Sequence, residues 1–249
     1  MNTMQDLMCA IRESERIAVF SGAGVSTLCG IPDFRGANGL YRDPNMARMF
    51  EIDLFDRDPS FFYRYANGLV YNTETIHPGP VHLAVKRLQD VGKCAGVITQ
   101  NIDCLHERAG SDPVFAVHGS AVLHHCRTCG DVKTFDEIVA LRAKAEDGVP
   151  HCVKCGGVYK PDITFFGEAL PEAAFYGAMR LAQEVELMLV LGSSLTVSPA
   201  NSIPPLTVRA GGRMVIVNAQ PTAYDGMADA TFPDLKEFAD AVMEAFPTL

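Results

Sequence analysis

The sequence predicts an α/β protein in which helices cover both faces of a parallel sheet and a smaller module is inserted into the sheet domain. Short apolar runs alternate with amphipathic helical stripes at both ends of the chain, which is the pattern of a doubly wound parallel sheet. Two stretches, 39–77 and 123–161, interrupt this alternation, and the second holds two cysteine pairs. Residues 1–38, 78–122 and 162–249 are therefore assigned to the sheet domain, and the two interrupting stretches to the small domain.

The elements of the sheet domain follow one another as helix, strand and turn. Each predicted strand is a short apolar run that closes in a polar or glycine-rich turn; these runs are 17–20, 96–99, 187–191 and 214–217. Each predicted helix carries apolar residues on one face; these helices are 4–11, 81–88 and 235–242. Ligands of open parallel sheets bind outside the carboxyl ends of the strands, so the polar turns should face one ligand.

Composition and charge exclude several classes of protein. The chain has 249 residues, enough for one large domain with a smaller appendage. Its 21 basic and 30 acidic residues give a net charge of −9, which disfavours direct nucleic-acid binding because phosphates must be neutralised by cations. No run approaches the roughly 18 apolar residues of a membrane span, and residues 1–16 mix acids and bases, unlike a signal peptide. A cytoplasmic protein is the expectation.

Four of the eight cysteines form two C-x-x-C pairs, Cys126/Cys129 and Cys152/Cys155, with 22 residues between them. Without a signal peptide the thiols are expected to be reduced, which favours metal ligation over a disulfide framework. Two such pairs complete a closed tetrahedral shell, so the sequence predicts one structural zinc ion. The alternatives are that one pair is a redox dithiol or that a nearby histidine replaces a thiolate: His124, His125 or His151.

The glycine-rich turn at 21–27 follows a buried strand, as a dinucleotide-binding fingerprint does, because glycine lets the backbone approach a pyrophosphate. Thr27 stands where that fingerprint has its third glycine, and no second strand with a ribose-binding acid follows. A hydride-transferring dehydrogenase is therefore disfavoured. The sequence also lacks the phosphate-binding loop of nucleoside triphosphatases.

Several motifs occur in the order in which sirtuins have them. They are Gly22-Ala23-Gly24-Val25-Ser26, Gly30-Ile31-Pro32-Asp33-Phe34-Arg35-Gly36, Thr99-Gln100-Asn101-Ile102-Asp103, His118-Gly119, the cysteine pairs, Phe166-Gly167-Glu168, Gly192-Ser193-Ser194-Leu195 and Val217-Asn218. From about residue 12 onward the chain resembles a bacterial or archaeal sirtuin. The resemblance implies a Rossmann-like sheet, with a small module that contains a helical segment and a zinc ribbon.

The activity implied by the resemblance is NAD-dependent deacetylation of protein lysines. In that reaction the bond from nicotinamide to ribose breaks and the acetyl group passes from lysine to ADP-ribose. The products are nicotinamide, O-acetyl-ADP-ribose and deacetylated protein. NAD is consumed as a co-substrate, one zinc ion is structural, and the partners are proteins that carry acetyl-lysine.

The resemblance also implies roles for particular residues. His118 is the base, and Asn101 and Asp103 complete the catalytic set. The expected contacts with the diphosphate of NAD are Gly22, Ala23, Gly24, Thr27 and Arg35. Those with the nicotinamide are Phe34, Ile102 and Asp103, and those with the neighbouring ribose are Gln100, Asn101 and His118. Those with the adenosine are Gly192, Ser193, Ser194, Asn218 and the backbone near Asp234. The expected peptide contacts are Phe166, Gly167, Glu168 and Val197.

Two departures and two alternatives accompany the resemblance. Family members that prefer succinyl-lysine or malonyl-lysine carry a Tyr-x-x-Arg pair, whereas Tyr63 is followed three positions later by Ala66, which favours acetyl or longer neutral acyl groups. Residues 219–221 also differ from the family pattern, in a segment expected to contact the adenosine ribose. The alternatives are mono-ADP-ribosyl transfer from the same site and a non-catalytic NAD sensor or scaffold.

Overall fold

A computed structural model describes residues 1–36, 39–71 and 76–247 of the chain. The predicted boundary at residue 38 lies outside these ranges. The α-helices are α1 (Met4–Glu13), α2 (Pro44–Arg48), α3 (Ile52–Arg57), α4 (Pro59–Tyr65), α5 (Pro80–Asp90), α6 (Leu105–Arg108), α7 (Phe135–Arg142), α8 (Glu172–Glu184), α9 (Pro204–Arg209) and α10 (Leu235–Ala245). The strands are β1 (Ile17–Ser21), β2 (Cys94–Thr99), β3 (Val114–Ala116), β4 (Gly119–Cys126), β5 (Val132–Thr134), β6 (Tyr159–Ile163), β7 (Leu187–Leu191), β8 (Arg213–Val217) and β9 (Ala230–Phe232).

The main sheet has six parallel strands in the order β3-β2-β1-β7-β8-β9. Its central strands are buried on both faces, which is why they are continuous apolar runs in the sequence. In β1, Ile17 and Val19 pack into one core with α1, α5 and α10, and Ala18 and Phe20 pack into the opposite core with α8 and α9. The predicted doubly wound parallel sheet is confirmed.

The four predicted strands and three predicted helices of the sheet domain coincide with β1, β2, β7, β8, α1, α5 and α10. The strands β3 and β9 were not predicted, because three residues are too few for a periodic signal. Helix α8 was not predicted either. Its buried face includes Gly177, Ala178 and Ala182, small residues that give a weak apolar stripe.

A second, antiparallel sheet has the order β5-β4-β6 and carries the paired cysteines at its ends. Its core is shared with the helices α2 to α4, although these are far away in the sequence. Phe62 and Tyr63 of α4 belong to the same buried cluster as Ile138 of α7 and the zinc-ligand candidates Cys126 and Cys152. The helical segment and the ribbon are therefore one packed unit.

None of the helices in the described ranges is long and apolar enough to cross a membrane.

Candidate active site

A cavity of about 520 Å³ lies where four strands of the main sheet end. Gly22 follows β1, Gln100 follows β2, Gly192 follows β7 and Asn218 follows β8, and all four residues line the cavity. The strand ends thus meet at one ligand-sized space, as expected for an open parallel sheet.

The structure brings most of the predicted site residues to this cavity. The predicted NAD contacts that line it are Gly22, Ala23, Gly24, Thr27, Phe34, Arg35, Gln100, Asn101, Ile102, His118, Gly192, Ser193, Ser194 and Asn218. The predicted peptide contacts Phe166, Gly167, Glu168 and Val197 line it as well.

Two predicted contacts, Asp103 and Asp234, lie outside this lining. The Asp103 carboxylate accepts a hydrogen bond from Ser26 Oγ at 2.6 Å and another from the Leu105 N–H at 3.0 Å. Asp234 caps α10 through the N–H groups of that helix's first turn, while the next residue, Leu235, lines the cavity. The roles assigned to these two aspartates toward a ligand stay predictions.

His118 sits between β3 and β4 with its imidazole half-buried at the cavity wall. Its Nδ1 lies 2.9 Å from the backbone oxygen of Gln100. A carbonyl only accepts, so Nδ1 carries the hydrogen and Nε2 holds a free lone pair. Burial lowers the pKa of His118, and the nearby Arg35 charge lowers it further against the raising effect of the Gln100 bond. His118 is therefore a neutral imidazole that can accept a proton at neutral pH.

The glycine after His118 is required by both its dihedral angle and its surroundings. Gly119 has φ of +69°, and a Cβ built there would lie 1.9 Å from the backbone oxygen of Asp162 on the neighbouring strand. No rotamer relieves a contact with backbone. The sequence His118-Gly119 thus lets the base stand where β4 meets β6.

Gly119→Ala should lower the free energy of unfolding by at least about 3 kcal/mol, because strain at positive φ and a backbone clash add together. Gly148→Ala is the matched control: its φ is also +69°, but within the described ranges no atom beyond its chain neighbours lies within 4 Å of the added carbon. That variant should lose only about 1 kcal/mol. Urea unfolding of both variants measures the difference, and equal losses would show that the contact with Asp162 is unimportant.

The turn after β2 is held by a network of polar side chains. The Asn101 amide donates to Ser26 Oγ at 3.2 Å, and Ser193 Oγ donates to Gln100 Oε1 at 2.6 Å. Ser26 is almost fully buried, and it links Asn101 to Asp103. No role was predicted for Ser26. The sequence does not show whether a serine in such a motif bridges two side chains or only occupies a turn.

The glycines of the first turn pack against the turn that follows β7. The N–H of Gly24 donates to the oxygen of Gly192 at 2.9 Å, and a Cβ on Gly24 would lie 2.7 Å from the Gly192 Cα. A Cβ on Gly22 would meet the same Gly192 oxygen at 2.8 Å. From the sequence alone, these glycines are explained by the close approach of a pyrophosphate. The structure adds a second reason, because the two turns are in contact and leave no room for a side chain.

Arg35 is the one lysine or arginine among the described residues that line the cavity. It is exposed, and its guanidinium carbon lies 4.9 Å from the centre of the Tyr41 ring. Two acidic side chains, Asp33 and Glu168, also line the space. The Asp33 carboxylate accepts from the Gly36 N–H at 2.8 Å, which leaves Arg35 as the group suited to a diphosphate.

The segment that contains Phe166 forms the wall opposite the main sheet. Phe166 pairs with the small module: its N–H donates to the Phe50 oxygen at 2.7 Å, and its oxygen accepts from the Ile52 N–H at 3.1 Å. Glu168 forms an ion pair with the buried Lys160 at 2.8 Å. The wall is therefore attached both to residues 50–52 and to β6 of the ribbon.

The cavity wall beside His118 is apolar. Phe34, Phe50, Ile163 and Phe165 line it, and Phe50 contacts both other aromatic rings, with ring centres 6.3 Å and 5.5 Å apart. Phe50 and Ile163 were not predicted as site residues, because an apolar side chain at a pocket cannot be told from a core residue in a sequence.

Tyr63, used above to compare acyl preferences, is not part of this wall. It is buried in the small module, and its hydroxyl donates to the Tyr159 oxygen at 2.6 Å. The preference drawn from Tyr63 and Ala66 stays a prediction, and the residues that line the cavity give a separate argument for it.

The four paired cysteines come together. Their sulfur atoms all lie within 4.8 Å of one another, with Cys126 and Cys155 3.5 Å apart and Cys129 and Cys152 3.7 Å apart. Four thiolates around one point fit a tetrahedral zinc ion with no open position, which is a structural site.

The histidine alternatives for the zinc site are not supported. The Nε2 of His124 is 2.8 Å from the Tyr71 hydroxyl, His125 pairs with Asp162 and His151 pairs with Asp147. Within the described residues, the cluster contains the four cysteines and no histidine.

Comparisons with known proteins agree with this geometry. A model of the "Sir2 family" matches residues 22–199. The chain is 40% identical to a protein of Thermotoga maritima named "NAD-dependent protein deacetylase" over 242 residues, 97% of each chain. One similar structure, a histidine-to-alanine variant of Sir2 with a deacetylated p53 peptide and 3′-O-acetyl-ADP-ribose, has a TM-score of 0.92 at 40% identity and covers 97% of this chain and 98% of its own.

A second structure, Sir2 with a p53 peptide and NAD⁺, has a TM-score of 0.88 at 38% identity, with the same coverage. The residues matched by the family model include β2, β3 and β7 of the main sheet, the whole antiparallel sheet, the His118 segment and the cysteine cluster. The chain belongs to the Sir2 family.

Proposed function

We propose that this protein is an NAD-dependent protein-lysine deacetylase. It breaks the bond between nicotinamide and ribose and transfers the acetyl group of a lysine to ADP-ribose. The observation that carries the proposal is the placement of His118 on the wall of the cavity at the strand ends, with its Nδ1 2.9 Å from the Gln100 oxygen, which leaves Nε2 to act as the base. The relatives' names and the ligands of the similar structures support the same activity.

Each group of residues has a task in this reaction. Arg35 and the backbone of the 22–24 turn lie against the diphosphate; the N–H groups of Gly22 and Gly24 are already donated to the oxygens of Leu191 and Gly192, so Arg35 supplies the charge that holds it. Asn101 and Gln100 hold the ribose next to the bond that breaks, and Phe34 covers that ribose against water. Cleavage of this bond develops positive charge on the sugar, as in glycoside hydrolysis, so hydrogen bonds around the ribose matter more than a catalytic metal.

His118 Nε2 takes a proton from a ribose hydroxyl once the acyl oxygen has attached to the sugar. The lone pair is kept available by the bond from Nδ1 to Gln100, which fixes the tautomer. The acetyl-lysine side chain is uncharged, so its stem can lie along the apolar wall. The peptide backbone can enter as an added strand between Gly167 and Val197, because both backbone groups of Phe166 are already paired with the small module.

The lowered pKa of His118 predicts a particular pH dependence. The neutral form is the active one, so kcat/KM should fall as the pH drops through this pKa, and the midpoint should lie below the ordinary value of about 6.5. Measuring kcat/KM against pH checks this. The control variant His125→Ala should show the same fall of kcat/KM at low pH as the wild type. A midpoint above the ordinary histidine value would contradict the assignment.

Acetyl-lysine and propionyl-lysine peptides should react much faster than a succinyl-lysine peptide. Phe34, Phe50, Ile163 and Phe165 form an apolar part of the cavity wall, and Arg35, the one cation among the described lining residues, is assigned to the diphosphate. A succinyl carboxylate against this wall would therefore be buried unpaired. A difference in kcat/KM of at least about tenfold is expected from even a modest desolvation cost. Equal rates on peptides that differ only in the acyl group would show that the wall holds a partner for the carboxylate.

The deciding experiment mixes the protein with an acetyl-lysine peptide, with and without NAD, and follows peptide mass and free nicotinamide together. Matched loss of acetyl and release of nicotinamide, only with NAD, is the expected result. Nicotinamide release with label from NAD on protein would replace deacetylation by mono-ADP-ribosyl transfer. Binding of NAD with neither product would favour a sensor or scaffold.

Three further assignments belong to the same proposal. The zinc ion on Cys126, Cys129, Cys152 and Cys155 is structural, since four thiolates leave no position for a reacting group. The cytoplasm is the proposed location, because cysteines without disulfide partners in the described residues suit a reducing compartment. The proposed division into a sheet domain and a small domain is supported by their separate cores. Two strands cross the proposed boundaries, β4 at 122/123 and β6 at 161/162, and Ala121, Ile163 and Phe165 pack in the core of the small domain.

A further inference from the structure

Two buried histidines behind the cavity take no part in the reaction described above. His82 of α5 and His106 of α6 are 0% and 1% exposed, and their ring centres are 4.7 Å apart. His82 Nε2 and His106 Nδ1 are buried atoms without a hydrogen-bond partner among the described residues. Buried polar atoms are rarely left unpaired, so this pair needs an explanation.

The tautomer of His82 follows from helix capping. The N–H of Gly79, the residue before α5, donates to His82 Nδ1 at 3.2 Å. An N–H group can only donate, so Nδ1 is an acceptor and the ring hydrogen is on Nε2. The unpartnered Nε2 of His82 is therefore a donor.

The tautomer of His106 follows from a chain of hydroxyls. Ser21 Oγ donates its single hydrogen to Thr99 Oγ1 at 2.9 Å, and lies 3.0 Å from His106 Nε2. Ser21 must therefore accept from His106, which places the ring hydrogen on Nε2. The unpartnered Nδ1 of His106 is an acceptor, complementary to the donor on His82.

The chain of bonds ends at the cavity. Ser21 and Thr99 are the last paired residues of β1 and β2, and Thr99 Oγ1 also accepts from the backbone N–H of Asn101 at 3.1 Å. Asn101 lines the cavity. A chain of neutral hydrogen bonds thus runs from Gly79 through the core to Thr99 Oγ1, which accepts both from Ser21 and from the Asn101 N–H. Its one missing link is between the two imidazoles.

We propose that His82 and His106 are positioning residues: His82 Nε2–H donates to His106 Nδ1, directly or through one bridging water, and the completed chain fixes the Thr99–Asn101 turn. The functional consequence rests on the proposed function, because it takes Asn101 as a ribose-binding residue. The tautomers and the link do not rest on it.

The surroundings keep both rings neutral. Burial lowers the pKa of His106 to about 3, with a smaller contribution from His82. Burial also lowers the pKa of His82, against the attraction of the Asp103 carboxylate, and the Cys29 thiol lies 3.7 Å from His82 Nδ1. Neutral rings are needed because a protonated imidazole has no acceptor, and the chain would break.

The first test is nitrogen NMR on the wild-type protein with labelled histidine, which needs no turnover. Both rings should carry hydrogen on Nε2 and a free Nδ1 across neutral pH. A nitrogen–nitrogen coupling between His82 Nε2 and His106 Nδ1 identifies a direct hydrogen bond. The same tautomers without this coupling identify a hydrogen bond through one bridging water. Hydrogen on Nδ1 of either ring overturns the proposal.

His82→Asn separates the link from the helix cap. Asparagine keeps an acceptor for the Gly79 N–H near the position of Nδ1 but has no donor at the position of Nε2. The His106 Nδ1 resonance should shift in this variant while the Gly79 N–H stays protected from exchange. An unchanged His106 resonance overturns the link between the rings, whether or not the protein deacetylates.

His106→Gln and His106→Asn test the effect on the Asn101 turn. A glutamine amide reaches the position of Nε2 and can donate to Ser21, whereas an asparagine amide reaches only the position of Nδ1. His106→Asn should lose about tenfold in kcat with little change in peptide KM, the size of one lost hydrogen bond, and His106→Gln should restore most of it. If His106→Asn and the wild type have equal kcat values and equal thermal stability, the positioning role is overturned. If the wild-type protein itself shows no turnover, only the proposed function fails.

Discussion

His118→Ala should lower kcat for deacetylation by a factor of about 10² to 10⁴, the range that a positioned general base contributes. The structure gives the reason: Nε2 is the free base of the cavity wall, and alanine leaves no group to take the ribose proton. Initial rates of nicotinamide release and of peptide deacetylation measure the loss.

The matched control is His125→Ala, a histidine on β4 that is exposed and pairs with Asp162 on the outside of the ribbon. This variant should deacetylate at the wild-type rate, and both variants should keep their zinc and their circular dichroism spectrum. A folded His118→Ala protein with normal turnover would remove His118 from the mechanism.

Cys126→Ser should release the zinc ion, unfold the small module and abolish deacetylation. Zinc contributes about 10–16 kcal/mol in small zinc modules, far more than the remaining packing of a three-stranded sheet can replace. Cys126 is buried in the core that the ribbon shares with α4. The backbone amides of α2 to α4 should therefore lose their protection from hydrogen exchange together with those of the ribbon. Metal analysis and hydrogen exchange measure the two effects.

The control for the zinc ligand is Cys9→Ser, which changes an exposed cysteine on α1 outside the cluster. It should leave zinc content, exchange and turnover unchanged. The main sheet should stay protected in Cys126→Ser, because its two cores contain no residue of the ribbon. Full turnover in verified metal-free protein would refute a structural role for zinc.

The parts of the fold that could be predicted are those with a strong local signal. Strands such as β1 and β7 are apolar along their whole length because both faces are buried, and that pattern is visible in the sequence. The three-residue strands β3 and β9 owe their place to neighbouring strands, which no local pattern encodes. The shared core of α4 and the ribbon is likewise a contact between distant segments.

The site divides in a similar way. Motif residues such as His118 and Arg35 line the cavity as predicted, whereas Asp103, in the Thr99–Asp103 motif, points its carboxylate toward Ser26. Which way a side chain leaves a turn depends on the partner it finds, and the sequence does not name that partner. His82 offered one usable signal, its position three residues after Gly79 at the start of a helix, where a side chain can cap the first turn.

The attachments of the Phe166 segment govern how the cleft can change its width. At its outer end the segment is hydrogen-bonded to residues 50–52 and tied through Glu168 to Lys160, so it travels with the small module. At its inner end the N–H of Thr164 donates to the oxygen of His118 at 2.8 Å. Residues 164–168 therefore connect the base to the small module, and a displacement of that module would reach His118 through backbone hydrogen bonds within five residues.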